Sequence, residues 1–280
     1  MIRLILIDVD GTLRGEGGVP ESAWAAIGEA RKRGVHLGIC TGRPAGGHGL
    51  EYARLLDPDG LHVFEDGAVI ARAGGAVVHA EPLPAGSFDR MVDLSRERRL
   101  PLQVDTAEGN IYFEIPPEGQ ARYSELVGIP ARRADLRALP NAERPVRAYW
   151  VARPGEVWDR AREAILSLPG TALTETLLPR STPVVIGGVL AAGVGKAAAA
   201  RDVAARLGFG LESVAMVGDG ANDLGAIRAA GLGIAMGNAG EEVRRAAAHV
   251  VPPLEEGGFA EAIRIALSHA RIETIELSGE

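Results

Sequence analysis

The apolar run Leu4-Ile5-Leu6-Ile7 leads without a break into Asp8-Val9-Asp10-Gly11-Thr12. A short apolar run that stops at a glycine-containing turn reads as a buried strand. Asp8 and Asp10 are one residue apart, so on an extended chain they project to the same side. Like charges held together at a strand end repel each other unless a cation or a reaction accounts for them. Aspartate and glycine are also ordinary turn residues, so the motif alone does not decide between a turn and a site.

The pattern after this strand alternates. Residues 21–33 read as a helix, opened by Pro20 and closed by Gly34. Residues 35–40 read as a second strand, 44–56 as a helix and 61–64 as a third strand. Strands and helices in alternation build βαβ units around a parallel sheet. Segment 80–86, with two prolines and a glycine, breaks the rhythm and reads as a linker. Beyond it come a helix at 88–99, a hairpin of strands 102–106 and 111–115 joined through Glu108-Gly109, a strand at 147–152, a helix at 157–168 and a last strand at 184–186. This mixture predicts an α+β unit on an antiparallel sheet. The stretch 187–193, rich in glycine and alanine, is expected to be the return linker. The βα rhythm then resumes with helix 196–207, strand 214–217, loop 219–223, helix 224–230 and strands at 232–236 and 250–251. The expected fold is α/β: a Rossmann-like, doubly wound parallel sheet from residues 1–81 and 188–280, with an α+β domain inserted at 82–187.

Composition narrows the function. A chain of 280 residues has room for about two domains. A net charge of −7 argues against a non-specific nucleic-acid binder, which presents a basic face. No apolar run approaches the roughly 20 residues that span a bilayer. The chain enters a strand almost at once, so no leader peptide is expected, and a cytoplasmic location is. Cys40 is the single cysteine, which excludes an internal disulfide and a cysteine-based zinc site; it reads as a core residue. The six histidines show no metal-ligand spacing, so a metal would be a hard cation on carboxylates. Of 30 basic residues only Lys32 and Lys196 are lysine. Lys32 lies in an Arg-Lys-Arg helix end, whereas Lys196 opens the helix at 196–207.

Asp8 and Asp10 have companions at other strand ends. Val217-Gly218-Asp219-Gly220-Ala221-Asn222-Asp223 again closes an apolar strand with carboxylates, and Thr41 again follows one. In doubly wound sheets, ligands bind beyond the carboxyl ends of the strands. Three strand ends therefore bring Asp8, Asp10, Thr41, Asp219 and Asp223 toward one crevice. Four carboxylates in one crevice all but require a divalent cation, and an all-oxygen set suits Mg²⁺. Plainer readings compete at single positions: Thr41 as a helix N-cap, Asp223 as an acid at a helix N-terminus, Lys196 as a surface lysine. Gly193-Val194-Gly195-Lys196 is not a P-loop, because Leu190 stands where the first glycine is required and Ala197 replaces the Ser or Thr. Gly231-Leu232-Gly233 opens a strand instead of following one, and it lacks the third glycine of a dinucleotide fingerprint.

Asp8-Val9-Asp10-Gly11-Thr12, Thr41-Gly42-Arg43, Lys196 and Gly218-Asp219-Gly220-Ala221-Asn222-Asp223 occur in this order. In that order they resemble the four motifs of the haloacid dehalogenase superfamily phosphatases, of the Cof-type subgroup with a large C2-type cap after the second motif. The resemblance implies that Asp8 is a nucleophile forming an aspartyl-phosphate. It implies that Asp10 protonates the leaving oxygen and then activates water. Thr41 and Lys196 would hold the phosphoryl group, with Gly42 and Asn222 as further contacts. Mg²⁺ would be held by Asp8, Asp10 (through its backbone carbonyl), Asp219 and Asp223, the last as ligand or as outer support. Arg43 is a candidate for substrate contact. Family members often carry Asn-Gly-Ala where this chain has Asp66-Gly67-Ala68, and Gly where it has Ala197.

The activity implied is Mg²⁺-dependent hydrolysis of a small phosphorylated metabolite, a sugar phosphate or a related polyol or glycerate phosphate. A phosphomutase or phosphotransferase on the same scaffold is the alternative, and a non-catalytic binding protein that keeps the fold is a third reading. The partner is expected to be a small molecule, with no nucleic acid and no membrane, and the chain a monomer or homodimer. The cap is expected to set specificity, through residues such as Asn110, Tyr112, Glu114, Arg122, Arg132 and Arg133. Trp150 and Trp158 are expected in its core.

Overall fold

The computed structural model describes residues 1–139, 141–178 and 184–269. The chain opens with β1 (Leu4–Ile7), α1 (Glu21–Lys32), β2 (His36–Ile39), α2 (Gly47–Leu56), β3 (Leu61–Phe64) and β4 (Val69–Arg72). It continues with β5 (Val77–Ala80), α3 (Ala85–Arg98), β6 (Leu102–Thr106), β7 (Ile111–Phe113), α4 (Gln120–Val127) and β8 (Arg132–Arg133). Next come β9 (Pro145–Ala152), α5 (Glu156–Leu166), β10 (Thr171–Leu178) and β11 (Val184–Ala191). The last part holds α6 (Lys196–Arg206), β12 (Val214–Gly218), α7 (Leu224–Ala229), β13 (Leu232–Ala235), α8 (Glu241–Ala246), β14 (His249–Val250) and α9 (Gly258–Ser268). Two compact units result: Met1–Gly42 with Glu51–Ala76 and the chain from Gly195 onward, and Arg43–Leu50 with Val77–Val194.

Every residue of β1 is buried, so the strand has no polar face and needs cover on both sides. It pairs in parallel with β12 on one edge and β2 on the other. The five-stranded sheet has the order β14-β13-β12-β1-β2 and is parallel throughout. From β1 the chain steps outward through α1 to β2. From β12 it steps the opposite way, through α7 to β13 and through α8 to β14. Right-handed crossovers that run in opposite directions place their helices on opposite faces. Helix α1 packs with α9, and α7 packs with α6. The direction reverses between β1 and β12, and at such a switch point the carboxyl ends of the strands leave a crevice.

β3 differs from the expected third parallel strand. It meets the β2 edge through a single parallel bridge, Cys40 to Val63, and its ladder is an antiparallel one with β4. The turn Glu65–Gly67 returns the chain at once, which leaves no length for a crossover helix.

The second unit is built on a six-stranded sheet of order β10-β11-β9-β6-β7-β8, antiparallel except for the β7–β8 pair. Leu102, Val104, Ala148 and Trp150 on one face of this sheet join Phe88, Met91, Trp158 and Ile165 in one apolar core. Both tryptophans are thus core residues, as expected. The expected linker 187–193 is instead mostly strand, because β11 runs through Ala191. Gly187 is there for space: a Cβ on it would stand 2.3 Å from the Trp158 ring. No helix among the described residues is long and apolar enough to cross a membrane.

Candidate active site

Asp8 leaves β1 with its amide still donating to the Val217 carbonyl at 2.9 Å, so the sheet fixes it beside β12. The chain then folds back, with the Leu13 and Arg14 amides donating to the Val9 carbonyl at 3.0 and 2.9 Å. Gly11 sits in this turn at φ +86°, and a Cβ on it would stand 2.2 Å from Asp219 Oδ2. Only glycine combines that backbone with that approach. Asp219 in turn accepts from Thr12 Oγ1 at 2.8 Å and from Asn238 Nδ2 at 3.0 Å.

Lys196 is the first residue of α6, and its side chain is fully buried. Its Nζ donates to Asp8 Oδ1 and to Asp223 Oδ1, both at 2.6 Å. The other oxygen of Asp223 accepts from the Asp219 amide at 3.1 Å and the Gly220 amide at 2.9 Å. Both oxygens of Asp223 are therefore engaged within the protein, and they hold the loop that presents Asp219. Burial and bonding overturn the surface-lysine reading of Lys196, while Asp223 keeps its helix-start role, accepting from the Gly220 amide, and adds the bond from Lys196.

Asp8, Asp219 and Asp223 offer carboxylate oxygens that all lie within 4.8 Å of one another. Three acids this close exceed the single positive charge of Lys196, and the donors are all oxygen. Such a set fits a hard divalent cation. Burial pushes Asp8 up to about 8, with Asp223 and Asp219 adding to the rise and Lys196 opposing it. Burial also raises Asp219. Burial disfavours the charge on Lys196, yet Asp8 and Asp223 outweigh it and hold the ammonium well above the ordinary lysine value.

Asp10 does not join this group. Its carboxylate is half exposed and pairs with Arg14 at 3.3 Å. The same-side rule applies to extended chain, and β1 ends at Ile7, so Asp10 already lies in the turn. Thr41 is buried, with its amide donating to the Val63 carbonyl and its carbonyl accepting from the Asp66 amide, both at 3.0 Å. Helix α2 starts only at Gly47, so Thr41 is not its N-cap. Asn222 Nδ2 donates to Asp66 Oδ1 at 2.7 Å, and that oxygen lies 4.0 Å from Lys196 Nζ. The Asp66 carboxylate also lies against Gly42. Arg43 belongs to the other unit, where its Nη1 donates to the Leu126 carbonyl at 2.7 Å. In that unit Asn110 and Tyr112 both donate to Glu143 Oε1, and Glu114 is paired with Arg96.

Two residues of the cluster escaped the sequence reading. Asn238 follows β13 by three residues, so the rule that ligand groups gather at strand ends would have found it. In the sequence Asp66 stands out only as a departure from a family pattern, while its place beside Lys196 depends on the turn after β3.

Residues 5–263 match the family model of the haloacid dehalogenase-like hydrolases. The chain belongs to this family. It is 30% identical to the 5-amino-6-(5-phospho-D-ribitylamino)uracil phosphatase YcsE of Bacillus subtilis, covering 94% of this chain and 95% of that one. It is also 30% identical to a phosphoglycolate phosphatase of Pyrobaculum neutrophilum, over 95% and 96% of the two chains. Among solved structures it is similar to the haloalkanoate-superfamily phosphatase BT1666 of Bacteroides thetaiotaomicron, with a TM-score of 0.79, 24% identity and 95% of each chain covered. That likeness bears on the fold, and the two full-length relatives bear on the activity. This haloacid dehalogenase-like hydrolase is a phosphatase.

Proposed function

We propose that the chain is a Mg²⁺-dependent phosphomonoesterase for a small hydroxylated metabolite, working through an aspartyl-phosphate on Asp8. The observation that carries the reading is Lys196 Nζ, buried at 2.6 Å from both Asp8 and Asp223 at the switch point of the sheet. The relatives support the substrate class: one acts on a phosphorylated ribityl chain and the other on phosphoglycolate.

The Asp8 carboxylate attacks phosphorus, forming a new P–O bond as the ester P–O bond breaks. Asp10, the half-exposed acid, gives its proton to the leaving oxygen. It then takes a proton from the water that attacks phosphorus, and the Asp8 carboxylate is released. Lys196, Thr41, the Gly42 amide and Asn222 orient the phosphoryl oxygens and balance their charge. Asp8, Asp219 and the Asp10 carbonyl would hold Mg²⁺, with Asp223 supporting the loop from behind. When bound, the cation supplies positive charge to the phosphoryl oxygens and keeps Asp8 ionised at neutral pH. Residues 82–187 are assigned as the specificity unit.

The test is phosphate release from a panel of phosphorylated sugars, polyols and hydroxy acids, with Mg²⁺ and with EDTA. Release from one structural group, lost in EDTA, is the expected result. Release with no acceptor present separates hydrolysis from transfer to a sugar hydroxyl. No release from any compound by folded protein would contradict the reading.

A further inference from the structure

The turn after β3 holds three consecutive residues in the left-handed region: Glu65 at φ 50°, Asp66 at φ 52° and Gly67 at φ 110°. Non-glycine residues are uncommon there and persist only where the surroundings hold them. Here the Asp66 amide donates to the Thr41 carbonyl at 3.0 Å. Gly67 is pressed on the residue before Lys196, since a Cβ on it would stand 2.5 Å from the Gly195 carbonyl oxygen. The turn so held delivers one carboxylate. Asp66 Oδ1 accepts from Asn222 at 2.7 Å and lies 4.0 Å from Lys196 Nζ. Both Asp66 oxygens lie 3.1–3.2 Å from where a Cβ on Gly42 would be. A single acid thus touches the three segments that carry Gly42, Lys196 and Asn222.

An anion that binds to those residues meets the Asp66 charge at close range. A phosphomonoester is held by its leaving group as well as by its phosphate. Inorganic phosphate is held by charge and hydrogen bonds at the phosphate alone. A negative charge beside Lys196 weakens the hold on both through the phosphate by a similar amount, and only the substrate keeps its leaving-group contacts to offset that. We propose that Asp66 is a charge-setting residue of the phosphate subsite: its carboxylate weakens the hold on inorganic phosphate and so hastens release of the product. This rests on the phosphate-binding roles proposed above for Gly42, Lys196 and Asn222.

Asp66→Asn isolates the charge. Asparagine tolerates the left-handed backbone, and its amide oxygen still accepts from Asn222. Calorimetric titration with inorganic phosphate in Mg²⁺ compares the variant with the wild type and needs no turnover. Removing a unit charge that lies 4.0 Å from Lys196 Nζ is expected to tighten phosphate binding about tenfold. Product inhibition should set in at a correspondingly lower phosphate concentration, and Asp66→Glu should keep the wild-type affinity. Affinity in Asp66→Asn that is equal or weaker, or unmeasurable in both proteins, would overturn the proposal, and the Asn variant decides alone if the Glu variant does not fold. A nucleophile other than Asp8 would show separately, as full turnover in Asp8→Asn.

Discussion

At the scale of single residues, burial sets the chemistry. Lys196 is buried between Asp8 and Asp223, and removing one partner from a buried ionic group typically costs about 3–5 kcal/mol. The same side chain therefore steadies the fold and prepares the site. His62 shows burial acting on a group outside the site. Its Nδ1 accepts from the Ile39 amide at 3.2 Å, which leaves Nε2 to donate to the Asp57 carbonyl at 2.8 Å. Burial pushes its pKa down from 6.5 to about 4. The unfolded chain takes up a proton below about 6.5, and the folded chain does so only near 4. His62 therefore contributes stability at neutral pH that is lost as pH falls through that window, up to about 3 kcal/mol. Asp105 has the opposite sign. Burial pushes it up to about 7 against the hydrogen bond from Gln103 and the charge of Arg147. The folded chain keeps a proton that the unfolded chain loses near 4, so this contribution falls as pH rises toward 7. NMR titration should find the His62 ring changing near pH 4 and the Asp105 carboxyl near pH 7; values near those of free side chains would contradict both.

At the scale of elements, Gly187 provides the sharpest test of packing. Gly187→Val would drive its side chain into the Trp158 ring and is predicted to destabilise the second unit by about 1–3 kcal/mol. Thermal denaturation of the variant checks this, and an unchanged midpoint would show that the strand is not pressed on the indole. The same glycine shows where the sequence was hard to read. Glycine and alanine in 187–193 look like a linker because they carry no pattern, while the partner that explains them lies on α5. Strand β10 is illegible in the sequence for a related reason, since its pairing with β11 is a match that local periodicity does not contain. The parallel strands were legible because burial on both faces writes itself as an unbroken apolar run, in β1 above all. The motif residues were legible because strand ends collect them. The bend that takes Asp10 away from Asp8, and the turn that brings Asp66 to Lys196, are backbone events that no spacing rule reports.

At the scale of the whole molecule, the sheet joins β1 from one end of the chain to β12 from beyond the insertion, and the carboxylate cluster draws on both. Folding of the sheet and assembly of the cluster are thus one event, and a cation that binds the cluster should stabilise the folded chain. Mg²⁺ at about 100 times its dissociation constant contributes about 2.7 kcal/mol. That is a rise in Tm of about 5 °C for a protein of this size. Asp219→Asn should abolish most of the rise, and a Tm indifferent to Mg²⁺ in the wild type would count against the cation site. The central claim is that Asp8 carries the phosphoryl group during turnover. It is tested most directly in Asp10→Asn with p-nitrophenyl phosphate, whose leaving group departs without a proton from an acid. Loss of the base for water attack should let the intermediate accumulate. After acid quenching and proteolysis, mass spectrometry should find one phosphoryl group on the peptide that contains Asp8. Continued turnover with no phosphoryl group on that peptide, or a wild-type rate in Asp8→Asn, would contradict the account.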